Sequence, residues 1–274
     1  MTELIDTHCH IQSIALETHD QAEHSTRELW AKADALTPDG VVQAAIDSGV
    51  TKMICVGCDM PDSRLAVDFV QNRPACWASI GIHPHEADSY VNQVDKLADF
   101  SNLLSGSKIV AIGECGLDYF YNHSDKLAQQ TILKFQIELA LKHDLPMIFH
   151  VRDAFDDFWQ IYDSYQAVRG VVHSYTDNLA NLQKALDRKL LIGVNGIVTF
   201  AKDLGQLDVY RSVPLDSLVL ETDSPFLTPT PYRGTINEPK RVVNIADFVA
   251  DLRGEDLEKL SAVTTSNARN LFGI

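Results

Sequence analysis

Imidazoles and carboxylates stand at the ends of short apolar runs throughout this sequence. The first run is Leu4-Ile5-Asp6-Thr7-His8-Cys9-His10, and later ones end at Glu114, His150, His173 and Asp223. Residues two apart on an extended strand face the same side, so His8 and His10 share a face. Asp6 shares their parity and is expected to orient an imidazole from behind. A carboxylate closing a buried strand, as Glu114 closes Ile109–Gly113, is costly unless it is paired or ligates a cation. Taken singly, a strand-end His or Asp is more often a hydrogen-bonded structural residue than a ligand. Six of them in the same position on their runs point instead to one shared centre. His8, His10, Glu114 and Asp223 can hold one ion, and Glu114 with His150 and His173 a second. Mixed nitrogen and oxygen donors suit Zn²⁺, Mn²⁺ or Mg²⁺. Two divalent ions about 3.5–4 Å apart would acidify a shared water and clamp a phosphoryl centre. Asp223 is placed to ligate and to take that water's proton, with Glu114 as the other residue at the reacting centre. The chemistry expected is hydrolysis.

Such a centre requires strands whose C-terminal ends converge. The apolar runs are Leu4–His10, Lys52–Gly57, Ala75–His83, Ile109–Glu114, Pro146–Val151, Gly170–Ser174, Leu190–Gly196 and Ser217–Asp223. Their length and Val, Ile and Leu content fit parallel strands buried on both faces. Helical periodicity lies between and after them, over Pro61–Asn72, Lys126–His143, Asp153–Val168, Asn178–Arg188 and Val242–Arg253. Alternation of this kind in 274 residues predicts a (β/α)8 TIM barrel, with an open doubly wound sheet as the alternative. With no linker or low-complexity segment, residues 1–274 read as a single barrel domain. Ser13–Pro38 breaks the rhythm just past the first strand and is expected to overhang the active face. Its His19 and His24 could be extra ligands, although solvated side chains are the commoner outcome there.

The composition narrows the setting. A formal charge of -15 is the reverse of what a broad nucleic-acid-coating or membrane-coating surface carries. It leaves room for a small phosphate pocket whose sign is set by metal ions and a few arginines. No run approaches the roughly 20 apolar residues of a membrane helix, and no signal peptide is evident. Five cysteines, an odd number, suit reduced thiols in a cytoplasmic protein. Cys55-Val56-Gly57-Cys58 has redox spacing, but no helix opens after its first Cys, and a buried strand end is the better reading.

The assembled residues resemble the TatD family of metal-dependent deoxyribonucleases, within the amidohydrolase-like barrels. The resemblance rests on Asp6-Thr7-His8-Cys9-His10, Gly81-Ile82-His83-Pro84-His85, and Gly113-Glu114-Cys115-Gly116-Leu117-Asp118-Tyr119. It continues through Pro146-Met147-Ile148-Phe149-His150-Val151-Arg152, Glu221-Thr222-Asp223-Ser224-Pro225, and Arg233-Gly234 with Asn237-Glu238-Pro239. It implies a TIM barrel, a dinuclear metal centre and phosphodiester hydrolysis on DNA, often as a 3′ to 5′ exonuclease. His8, His10, Glu114, His150, His173 and Asp223 would be the ligands, and Asp223 the acid/base. His83 would contact phosphate, its alternative being to stabilise the turn before Pro84. Arg152 and Arg233 are further phosphate candidates, against an ion pair and a solvated loop position. Two departures bear on substrate access: His173-Ser174-Tyr175-Thr176-Asp177 carries Tyr and Asp where the family usually has Phe and Gly, and Ser13–Pro38 is long.

Two other functions compete. One is hydrolysis of an amide or ester, including aminoacyl-tRNA esters. Many related amidohydrolases bridge their metals with a carboxylated Lys, whereas here the fourth run ends in Glu114 and its Lys108 lies at the opposite end. The other is a metal-binding scaffold without activity, against which the intact ligand set argues. The sequence leaves the oligomeric state open and is compatible with a monomer.

Overall fold

The computed structural model of the chain describes residues 3–15, 25–33 and 35–274. The eight runs form β1 (Leu4–Cys9), β2 (Val50–Val56), β3 (Cys76–Ile80), β4 (Ile109–Asp118), β5 (Met147–Arg152), β6 (Gly170–Val172), β7 (Leu191–Val194) and β8 (Leu218–Leu220). They pair in parallel and in sequence order, from β1 to β8. Parallel neighbours need crossovers long enough to return the chain to the same edge, and helices supply them. These are α1 (Ser25–Trp30), α2 (Pro38–Asp47), α3 (Met60–Val70), α4 (Val94–Asn102), α5 (Lys126–His143), α6 (Phe155–Tyr162), α7 (Leu179–Asp187) and α8 (Leu204–Ser212), while α9 (Val242–Arg253) and α10 (Leu257–Phe272) follow the last strand.

The sheet closes where β8 meets β1. Cys9 and Ser224 form a parallel bridge, the His10 N–H donates to the Ser224 carbonyl at 2.8 Å, and the Asp223 N–H to the His8 carbonyl at 2.8 Å. The Thr7 hydroxyl donates to the Leu220 carbonyl. The architecture is the (β/α)8 barrel.

The apolar core has two parts. Side chains such as Phe149, Phe158 and Tyr162 fill the layer between sheet and helices. Ile148 and Val171 belong to a second cluster with Ile54, Val56 and Val219. They stand two residues before His150 and His173 and so point the same way, into the barrel. That interior packing is the floor on which the polar mouth rests.

The helix over Lys126–His143 has the bounds its periodicity gives, capped by the Asp125 carboxylate. The Asp153–Val168 expectation shrinks to α6, which starts only at Phe155 because Asp153 adopts a left-handed conformation (φ 53) and stops at Tyr162, ahead of a second left-handed residue at Ala167 (φ 62). α10 escapes the periodicity reading because its buried face carries Ser261, Thr264 and Thr265 among Leu260, Ala268 and Phe272. The Thr264 hydroxyl donates within the helix to the Leu260 carbonyl, Thr265 donates across to the Glu3 carbonyl, and Asn267 on the same helix donates to the Leu215 and Leu218 carbonyls at 2.8 Å. β8 is shorter than Ser217–Asp223 because the chain turns aside after Leu220, and Asp223 has φ 58.

Asp6 does not orient an imidazole. The β1 ladder slips between Asp6 and Cys9, so strand parity does not carry through to His8. Its carboxylate instead accepts from the Thr222 N–H at 2.8 Å, the Thr222 hydroxyl at 2.6 Å and the His8 N–H at 3.3 Å. The seam between the first and last strands is thus tied by one fully buried carboxyl, which burial pushes up to about 8 against those hydrogen bonds. Asp6→Ala is expected to destabilise the fold by about 3 kcal/mol, since it strands buried donors of Thr222. Asp6→Asn, which keeps an oxygen for the two backbone N–H groups, should stay within about 1 kcal/mol. Thermal unfolding of both variants checks this, and equal loss in the two would contradict it.

Candidate metal centre

The strands deliver His8, His10, Glu114, His150, His173 and Asp223 to one mouth. His8 Nε2 lies 3.2 Å from His10 Nε2, 3.4 Å from Glu114 Oε2 and 3.6 Å from Asp223 Oδ1. His10 Nε2 lies 3.3 Å from the same Asp223 oxygen. A cation about 2.0–2.2 Å from each of four tetrahedral donors separates those donors by about 3.3–3.6 Å. The spacing found therefore fits a small divalent ion. On the other side of Glu114, Oε1 lies 2.8 Å from His150 Nδ1 and 3.3 Å from His173 Nε2. His173 also stacks on His8, with ring centres 3.8 Å apart, so it stands between the two groups rather than wholly in the second.

The partners behind these rings fix which nitrogen faces the centre. His10 Nδ1 meets the Val56 carbonyl at 2.9 Å, and a carbonyl only accepts, so the proton sits on Nδ1 and the Nε2 lone pair points inward. His173 Nδ1 meets Glu221 Oε1 at 3.0 Å. His150 Nε2 meets Asp118 Oδ2 at 3.1 Å, leaving Nδ1 toward Glu114. A carboxylate behind an imidazole orients it and raises its basicity as a ligand. Inward-facing lone pairs beside carboxylate oxygens repel one another unless a proton or a cation lies between. That donor chemistry is what a metal site needs.

Glycine makes room for one of these supports. A Cβ at Gly193 would come 2.5 Å from Glu221 Oε2, so no other residue leaves space for the carboxylate behind His173. Gly116 (φ +152) approaches the His150 carbonyl so closely that a Cβ there would overlap it.

The remaining candidates divide. His83 accepts the His85 N–H on Nδ1 at 3.2 Å, which stabilises the turn at Pro84. A neutral His83 must then carry its proton on Nε2, 3.6 Å from Glu114 Oε1, where it is a donor and not a metal ligand. Burial, aided by His150 and His85, keeps it neutral by holding its pKa well below the usual value. Arg152 and Arg233 both line the cavity of about 830 Å³ that opens over the centre. Arg152 lies on the Phe120 and Tyr121 rings, and Arg233 lies on Phe200 while donating to the Thr228 carbonyl. Asp177 is not beside this mouth. It accepts from Asn178 N and Asn181 Nδ2 and lines a neighbouring hollow with Lys126 and Asp157. Of the long segment after β1, Trp30 donates from Nε1 to the His10 carbonyl at 3.0 Å and Thr26 reaches the cavity wall. His19 and His24 lie outside the described residues.

Several participants were not singled out from the sequence. Asp118 and Glu221 back the ligands, and His85 shares Asp118 with His150. Cys55 is a buried strand end, but Cys58 turns its thiol to within 3.8 Å of Glu114 Oε2. The signal was available for Glu221, an acid inside an apolar run that burial forbids unless it is paired.

The active site of such a barrel sits at the C-terminal mouth, and convergent imidazoles and carboxylates there are the donors of a metal-assisted hydrolytic centre. A family model described as "TatD related DNase" matches residues 5–273, and the chain belongs to the TatD family. It is 33% identical over 273 residues to an uncharacterised metal-dependent hydrolase, YabD, of Bacillus subtilis, covering 99% of both chains. It is 32% identical over 243 residues to the 3′-5′ ssDNA/RNA exonuclease TatD of Enterobacter lignolyticus, covering 86% of this chain and 93% of the relative. The crystal structure of YJJV, a TatD homologue from Escherichia coli, superposes with a TM-score of 0.84 at 26% identity, covering 100% of this chain and 99% of that one. The protein is thus a metal-dependent hydrolase. Among the described residues no helix is long and apolar enough to cross a membrane.

Protons and metal compete for the same nitrogens. Burial opposes charge on His10, but Asp223 outweighs it and pushes the imidazole up to about 9. Burial is likewise outweighed at His173, chiefly by Glu221 and Glu114, and at His150 by Asp118 and Glu114. Because the folded pKa of His10 exceeds its usual 6.5, its contribution to metal-free stability is complete below 6.5 and fades as pH rises through about 9. Chelated protein should therefore lose thermal stability across that window, while affinity for a divalent ion rises and protons are released. Titration calorimetry in buffers of different ionisation enthalpy would read the release. Proton-neutral binding would contradict it.

Proposed function

We propose that this hydrolase is a nuclease that trims DNA from 3′ ends, with two divalent ions (Mg²⁺, Mn²⁺ or Zn²⁺) held across Glu114. The observation that carries the reading is the division of the Glu114 carboxylate. Oε2 faces His8, while Oε1 faces His150 and His173, as a bridging ligand must. The kinship with the 3′-5′ ssDNA/RNA exonuclease of Enterobacter lignolyticus supports a phosphodiester substrate. The ligands would be His8, His10, Glu114 and Asp223 for one ion and Glu114, His150 and His173 for the other. The barrel is proposed to act as one hydrolytic unit.

Bound divalent ions would lower the pKa of a water and neutralise charge building on the phosphoryl oxygens. This chain's own residues supply the remainder. Asp223 is more open to the cavity than Glu114, with side-chain exposures of 16% and 6%. It holds a left-handed backbone pinned by the His8 carbonyl. It takes the proton of the attacking water and returns it to the leaving oxygen. His83, neutral and protonated on Nε2, donates to a phosphoryl oxygen. Arg152 and Arg233 reach phosphate oxygens from the rim with charge-assisted hydrogen bonds.

The amide-hydrolase alternative loses ground. Lys108 Nζ donates to the Val70 carbonyl at 3.0 Å and to the Arg73 carbonyl at 2.6 Å. It is committed to the other end of β4, and no lysine lines the cavity among the described residues.

A 5′-labelled single-stranded oligonucleotide incubated with Mg²⁺, Mn²⁺ or Zn²⁺ should give a ladder of 3′-shortened products. Asp223→Asn should slow it by about 10²-fold or more, and His83→Gln by about tenfold, close to the loss of one charged-phosphate hydrogen bond. Equal rates for wild type and Asp223→Asn, or no cleavage in any of the three metals, would overturn the nuclease reading.

A further inference from the structure

Among the described residues, three phenyl, phenol or indole rings are exposed: Phe120 at 54%, Tyr121 at 50% and Tyr232 at 43%. All three sit on loops that leave the C-terminal ends of strands, after β4 and after β8. The other large exposed apolar side chains, such as Val94, Leu127 and Leu204, are aliphatic. Exposed aromatic surface is thus confined to the face that carries the metal centre. Each ring also carries an arginine. The Arg152 guanidinium lies 4.1 Å from the Phe120 ring centre and 4.7 Å from that of Tyr121, and Arg241 lies 4.3 Å from Tyr232. Tyr121 and Arg152 line the same cavity as His150 and Glu114, so the aromatic surface is continuous with the centre.

We propose that Phe120 and Tyr121, set perpendicular with ring centres 4.8 Å apart, form an aromatic corner that holds the base next to the scissile phosphate of a single-stranded nucleic acid end, one ring stacking on the base and the other meeting its edge. This rests on the nuclease reading above and adds which part of the substrate the enzyme holds. A chain of charge -15 repels a polyanion at long range, so its hold on nucleic acid must come from short-range contacts. Stacking is such a contact. It is insensitive to net charge and tolerant of sequence, and it is open only to unpaired bases. Arg152 joins the two halves of the contact, with its planar group on the rings and its donors toward the phosphate position.

The corner is rigid where it matters. Asp118 Oδ1 accepts the Phe120 and Tyr121 N–H groups, both at 3.0 Å, while its Oδ2 accepts from His150 and His85. One buried carboxylate therefore sets both the imidazole at the centre and the two rings at the rim.

The test crosses loss of the ring with loss of the base. Two single-stranded oligonucleotides are compared, one ending in a normal nucleotide and one in a tetrahydrofuran abasic residue. Wild type should prefer the normal end by about tenfold in kcat/KM. Phe120→Ala/Tyr121→Ala should turn over both ends at the same lowered rate, and Phe120→Ala/Tyr121→Trp should restore the preference, a rescue that a general packing defect would not give. Preference unchanged in the double-alanine variant, or absent in wild type, overturns the corner while leaving the nuclease standing. If wild type cleaves no oligonucleotide, the nuclease reading falls. The corner is then judged by fluorescence of a terminal 2-aminopurine. Quenching by wild type that is lost in the double-alanine variant supports it, and no quenching by wild type overturns it.

Discussion

The structure depends on one electrostatic demand, that of a carboxylate buried among imidazole nitrogens. Glu114 is 4% exposed, and its oxygens face His8, His83, His150 and His173. Burial raises the cost of its charge, yet those rings hold its pKa well below the usual carboxylate range. Such an arrangement is stable only with positive charge between the donors, whether protons or a metal ion. The barrel exists to keep it assembled. Short β-branched strands end together, their interior packs into a floor, and the groups least compatible with an apolar core collect above it.

Much of the centre was visible in the primary structure because a polar residue that interrupts a buried apolar run must be paired or ligate a cation. His150 after Met147–Phe149 and Glu114 after Ile109–Gly113 needed no more than that, although β4 and β5 run on past them to Asp118 and Arg152. The supporting layer was harder to see for definite reasons. Asp118 lies four residues beyond Glu114, and β4 continues that far only through an irregularity between Ile112 and Cys115. Glu221 sits inside a run that looks like plain strand interior, but the ladder stops at Leu220 and frees the side chain for His173. Asp6 was misassigned because a slip in the β1 ladder breaks the alternation on which the inference relied. The outer helices were legible where their buried faces are aliphatic, as in α5 and α9. α10 was missed because its buried face carries Ser261, Thr264 and Thr265 instead of an unbroken apolar stripe, with Thr264 bonded to its own helix and Thr265 to the Glu3 carbonyl.

The net charge of -15 and the anionic substrate proposed above are reconciled by scale. Charge on the outer surface is screened within about 8–10 Å at ordinary ionic strength. At the mouth, Arg152 and Arg233 stand over a centre whose own ions would reverse the local sign. Global repulsion slows approach and discourages long tracts of backbone from lying on the surface. It leaves a terminus that reaches the cavity free to be held by contacts a few ångströms long. Asp177, which alters the family pattern close by in sequence, adds no charge to this mouth, because its carboxylate is turned to Asn181 and a different hollow.

The seam between the outermost strands also dictates when the centre comes into being. Asp223 reaches His8 and His10 only after β8 has docked against β1 through the Cys9–Ser224 bridge and the Asp6–Thr222 tie. A ribosome making this chain releases His8 more than two hundred residues before Asp223. Throughout that interval the early histidines stand without their last carboxylate. A four-donor cage is therefore a product of completed folding, and stray cations meeting the nascent polypeptide find only a partial set of donors.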